Sequence, residues 1–160
     1  MRKLLTVIVF VICSVSAYAQ TIGGLSIGQS TSDVKKEYGK PDKVMAWSNG
    51  PDFAWEYDFG PKLKVYVVYN KTTEQVVKLV AMGDLDRRGV FQSRLGVRVG
   101  DTQQKVIETY GVGEIVGEDS TVFSRRFPNI QFTFRLSEET GAYYVNRVEV
   151  FPTPKKPIKK

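Results

Sequence analysis

The 160-residue sequence contains no histidine and a single cysteine, Cys13. Without histidine there is no Ser-His-Asp or Cys-His catalysis and no imidazole metal ligand. One cysteine excludes an internal disulfide and a four-cysteine zinc site. The most continuous apolar run, Leu4 to Ile12, falls far short of the ~20 residues that span a bilayer as a helix. A basic surface is also missing, although the formal charge is +6. Arg2 and Lys3 stand at one end, and Lys155, Lys156, Lys159 and Lys160 at the other. Residues 20–154 hold 17 charges of each sign. The high pI therefore arises at the termini, and nucleic-acid binding loses its main support. What is present, 42% hydrophobic and 25% charged residues, suits a folded domain.

The first residues read as an export signal. Arg2 and Lys3 precede the apolar run, and Ala17-Tyr18-Ala19 supplies a small-x-small cleavage pattern. Cleavage after Ala19 leaves 141 residues, with residues 1–19 removed. Val11 and Ile12 precede Cys13 where a lipidation site has small residues. The mature chain is therefore expected in the periplasm or medium, not lipid-anchored, and free of cysteine. In an oxidising compartment it must be held by its core alone. A chain of this size buries roughly two-thirds of its unfolded surface, which suffices.

A pattern recurs at an offset of 72 positions. Ile27-Gly28-Gln29-Ser30 matches Val99-Gly100-Asp101-Thr102, Val34 matches Val106, and Tyr38-Gly39 matches Tyr110-Gly111. Ser30 and Thr102 are good helix N-caps. Val34 and Tyr38, four apart, share a helix face, as do Val106 and Tyr110. Gly39 and Gly111 fit the left-handed position that ends a helix, and Pro41 prevents continuation. Gly28 and Gly100 read as tight turns, because a phosphate loop needs more glycines and a preceding buried strand.

Strands follow each helix. Val44 to Trp47 is short and apolar. Phe53, Trp55, Tyr57 and Phe59 alternate with Ala54, Glu56 and Asp58. Leu63, Val65, Val67 and Tyr69 alternate with Lys64, Tyr66 and Val68, and Val76 to Met82 follows. The second half repeats the order: Glu114 to Val116, Thr121 to Phe127, then Ile130 to Leu136, then Tyr143 to Phe151. Such alternation over successive hairpins implies antiparallel sheet with one face on a core and one in water. The fold class is α+β: two tandem repeats, 25–82 and 95–151, each a short helix packed on about four antiparallel strands. Residues 83–94 read as a solvated linker; Asp84 and Asp86 are too few oxygens for calcium. The Pro/Lys-rich tail, 152–160, is expected to be extended.

The Ile27-Gly28-x-Ser30…Val34…Tyr38-Gly39-x-Pro41 opening, followed by Trp55-x-Tyr57, resembles the domain of the outer-membrane assembly lipoprotein BamE. Two such units in tandem resemble the beta-lactamase-inhibitory-protein-like fold. The resemblance implies that the two sheets join into one long, saddle-shaped sheet whose open face binds a partner protein. It carries over the scaffold: Gly28, Ser30, Val34, Gly39, Pro41, Trp55 and Tyr57, then Gly100, Thr102, Val106 and Gly111. The sequence departs from these groups in having neither a lipidation site nor disulfides, so neither a beta-lactamase target nor a barrel-assembly role follows.

The functional expectation is an exported, non-enzymatic binding module that recognises a protein or envelope component. Its candidate site is the outward set of strand residues: Glu56, Tyr66, Val68, Arg126, Gln131, Thr133 and Arg135, with Lys64 beside them. Tyrosine and arginine are the types enriched at binding hot spots. An envelope hydrolase or other enzyme is the first alternative, but no carboxylate pair is placed to share a substrate. Weak attachment to anionic membrane or polymer through the lysine tail is the second. No cofactor, metal ligand set or catalytic residue is read from the sequence.

Overall fold

A computed structural model describes residues 21–48, 50–60, 62–84, 91–119 and 121–154. The readings of a signal at 1–19 and of the last part of the tail fall outside these residues. The described chain is α+β, with two helices and one large antiparallel sheet. Its elements are β1 (Thr21–Ile22), β2 (Leu25–Ser26), α1 (Thr31–Tyr38), β3 (Lys43–Ala46), β4 (Asp52–Asp58), β5 (Leu63–Asn70) and β6 (Gln75–Gly83). After these come α2 (Gln103–Tyr110), β7 (Glu114–Glu118), β8 (Val122–Arg126), β9 (Ile130–Leu136) and β10 (Tyr143–Val150).

Both helices begin and end by local chemistry. The Ser30 hydroxyl accepts from the Asp33 N–H at 3.1 Å, and Thr102 accepts from Lys105 at 3.3 Å. Gly39 (φ 80°) and Gly111 (φ 86°) close the last turns in left-handed backbone, donating to the carbonyls of Lys35 and Ile107. The turns before the helices are clasped to the sheet. Gly28 N–H donates to Val76 O and Gly100 N–H to Val145 O, each at 2.8 Å. Positions 72 apart thus occupy corresponding places at both helices.

The eight strands run in the order β3-β4-β5-β6-β10-β9-β8-β7. The seam between the halves is the β6–β10 ladder, from Met82 opposite Arg147 to Leu79 opposite Val150. One core lies on the helix side of this sheet. Val34 and Val106 from the helices meet Trp55, Tyr57, Val65, Val67, Leu79, Phe132, Phe134, Val145 and Val148 from the strands. Each such buried apolar side chain contributes about 1.5–3 kcal/mol.

Three features differ from the sequence reading. The hairpin β1–β2 was not expected, yet Ile22 is fully buried. The segment read as a solvated linker contributes Phe91 and Ser93 to the interior. Ser93 bridges to Ile22 and accepts from the Tyr110 hydroxyl at 2.9 Å, while the Tyr38 hydroxyl donates to Gly23 O. Each helix-end tyrosine therefore anchors the segment that precedes its own helix. Phe59 lies beyond β4 rather than within it and stays 44% exposed, with its ring 4.4 Å from that of Phe91.

Candidate binding face

Because both helices pack on one side, the other side of the sheet is free of helices. The hydrogen-bond register places one residue from every strand in a single row across it. Lys43 lies opposite Glu56, Glu56 opposite Tyr66, and Tyr66 opposite Val80. Val80 lies opposite Glu149, which lies opposite Gln131; Gln131 faces Arg126, and Arg126 faces Glu114. The neighbouring row runs through Asp58, Lys64, Met82, Arg147, Thr133, Ser124 and Val116.

All seven candidate residues lie on this face, but their exposure differs. Arg126 and Arg135 are exposed, and Tyr66, Gln131 and Thr133 are half-buried. Val68 is 1% exposed and Glu56 9%. Val68 is thus corrected from contact residue to floor. It lies between Ala54 and Lys78 in the ladder, and with Ala54 and Val80 it is buried among longer neighbours. The Trp47 ring lies 5.8 Å from that of Tyr66.

Glu56 is also committed internally. Its carboxylate accepts from Lys64 Nζ at 2.7 Å, and Lys64 also lies 3.8 Å from Asp58. The Lys64 hydrogen bond holds the Glu56 carboxyl below the usual carboxylate range, with burial opposing and the Tyr66 hydroxyl assisting. Burial, and then the Glu56 charge, raise the Tyr66 phenol above its ordinary value, so it stays a neutral donor. Arg126 Nε donates to Gln131 Oε1 at 3.0 Å, and Ser124 and Thr133 share a hydroxyl contact at 2.9 Å.

The joining of the two sheets was implied by the resemblance, but the charged cluster at their seam was not read from the sequence. Glu149 accepts from Lys78 at 2.6 Å across β6–β10 and lies 2.7 Å from Arg147 Nε. Alternation alone does not say which strand pairs with β6, so this cluster had no signal. Arg125 was also passed over. It lies opposite Phe132, 8% exposed, with Nη1 donating to Val112 O at 2.6 Å and the guanidinium over the Phe123 ring. Among the described residues no group of His, Cys, Asp and Glu is placed to hold a metal, and no helix is long and apolar enough to cross a membrane.

No protein-family profile and no curated protein sequence matches the chain. Solved structures do resemble it. A DUF4309 family protein, YjgB, from Bacillus subtilis subsp. subtilis str. 168 is 16% identical with a TM-score of 0.49, over 82% of this chain and 84% of that one. An extracellular protein containing a SCP domain, from Bacillus anthracis str. Ames, is 10% identical with a TM-score of 0.50, over 82% of this chain. The present chain spans 50% of that protein's length. A cysteine-rich secretory protein from Staphylococcus aureus subsp. aureus Mu50 is 9% identical with a TM-score of 0.47, over 78% of this chain and 44% of that one. At these identities the likeness is one of fold.

Proposed function

We propose that the protein is an exported, non-enzymatic binding module that takes a protein or envelope component on the helix-free face of its sheet. The observation that carries this is the row from Lys43 to Glu114, which crosses all eight strands on a side that neither helix covers. The two halves are proposed to be copies of one unit of the BamE-like kind, a reading supported by the corresponding caps and clasps at both helices. Pairing two copies through β6 and β10 doubles the width of the face. Export rests on Arg2-Lys3, the apolar run and Ala17-Tyr18-Ala19.

The row offers a polar, partly apolar surface. Tyr66 supplies an aromatic anchor and Arg126 an exposed cation, the two types that dominate binding energies. The test is affinity capture of what the mature protein retains from its native envelope, repeated with Tyr66→Ala plus Arg126→Ala. Binding of the captured component should weaken by at least ~2 kcal/mol, with denaturant unfolding nearly unchanged. Retention of the component at unchanged strength by the double variant would refute the reading.

A further inference from the structure

Three observations converge at one end of the helix-free face, away from Arg126. Strand β10 carries a bulge: Val145 pairs with Phe134 and Arg147 with Thr133, leaving Asn146 as the extra residue. Bulges re-aim side chains and are over-represented beside functional sites. The Asn146 Oδ1 is buried with no hydrogen-bond partner. Native interiors leave few such atoms, and each needs a reason. The exposed guanidinium of Arg135 has no ion-pair or hydrogen-bond partner among the described residues.

Asn146 and Arg135 line one cleft of about 210 Å³, together with Leu63, Lys64, Met82 and Asp84. Lys64 is already held by Glu56 and Asp58. Lys62, itself partnered, also lines the cleft. The cleft is smaller than the ~300–1,000 Å³ typical of sites for whole small molecules, so it suits a terminal group. A guanidinium fork matches a carboxylate with two parallel hydrogen bonds. A carboxamide offers one acceptor group and two N–H donors, the complement of a peptide unit. Met82 supplies an apolar wall. A bare inorganic anion would occupy Arg135 but leave Asn146 Oδ1 without a donor.

We propose that this cleft binds the carboxyl terminus of a peptide chain, with Arg135 pairing the carboxylate and Asn146 Oδ1 accepting the N–H of the last residue. The proposal rests on the reading of this face as a binding surface, and it narrows the partner to one that presents a free chain end.

The test is an NMR titration of the mature protein that follows the Asn146 side-chain amide and the Arg135 Nε–H. The probes are N-acetyl-dialanine with a free carboxylate, the same dipeptide as its C-terminal amide, and inorganic phosphate. The free acid should shift both signals saturably. The amide and phosphate should bind at least about tenfold more weakly, and Arg135→Gln should weaken the acid by a similar factor. Asn146→Ala should weaken the acid and the amide's residual binding alike, because both probes carry the last residue's N–H, whereas Arg135→Gln should leave the amide's residual binding unchanged. Equal binding of the amide or of phosphate, or no saturable shift with the acid, would overturn the proposal; the probe comparison does not depend on any variant folding. Capture through Tyr66 and Arg126 uses neither cleft residue. Loss of the titration with capture intact therefore removes the carboxylate site alone, whereas loss of both removes the binding reading itself.

Discussion

At the scale of single residues, position in the alternation tells which face a side chain takes, not whether water reaches it. Tyr66 and Val68 are two apart on the same face, yet one is half-buried and the other nearly sealed. The difference is length: a tyrosine rises past its neighbours, and a valine lies beneath them. Trp55 shows the other side of the sheet. Its ring lies 4.9 Å from that of Tyr69, under Lys35 Nζ at 4.8 Å, and only 5% of the residue is exposed. Trp55→Ala should therefore cost about 3–5 kcal/mol, as large-to-small core changes do. Chemical denaturation measures this directly, and a loss below about 1 kcal/mol would contradict the packing.

At the scale of elements, the helices were legible because their signals are local. Ser30 and Thr102, Val34 and Val106, and Gly39 and Gly111 each act within a few residues, and both helices stand where those residues place them. The long strands were legible from their period of two. What escaped was set by partners distant in sequence. The two-residue strands of β1–β2 are too short to show a period, and Phe91 is an isolated aromatic among charged residues whose burial depends on Phe59 and Tyr38. The bulge at Asn146 has no local signature either. Of the candidate site, the face was legible and the depth was not. The cross-strand pair between β4 and β5 carries a pH prediction. The Glu56 carboxyl is lowered in the folded state, chiefly by Lys64. A lowered acid stabilises the fold fully above its ordinary value of 4.5 and loses that contribution as pH falls through the folded value. Glu56→Gln should thus destabilise at neutral pH, and the gap to the unaltered protein should narrow on acidification below that window. Unfolding curves at stepped pH test this; a gap that widened toward acid would reverse the sign.

At the scale of the whole molecule, the decisive contact is β6 on β10. It turns two four-stranded halves into one sheet with one core, in which Leu79 and Val150 lie opposite each other across the seam. Such a sheet should unfold as one cooperative unit, because separating the halves exposes the Leu79–Val150 side of the seam and breaks the ladder hydrogen bonds. The sequence provides a reporter for this. Its two tryptophans, Trp47 and Trp55, both lie in the first half, so their fluorescence follows that half alone. Phe134 lies in the second half, fully buried, stacked on Phe123 at 5.0 Å and opposite Val145. Phe134→Ala should remove about 3–5 kcal/mol of local packing. If the halves share one transition, the tryptophan signal must shift to lower denaturant along with the far-UV signal, although no tryptophan lies near the substitution. If they unfold separately, the tryptophan midpoint stays where it was while part of the far-UV signal moves. The face would then be two independent surfaces rather than a continuous row, and the partner's footprint would have to fit on four strands.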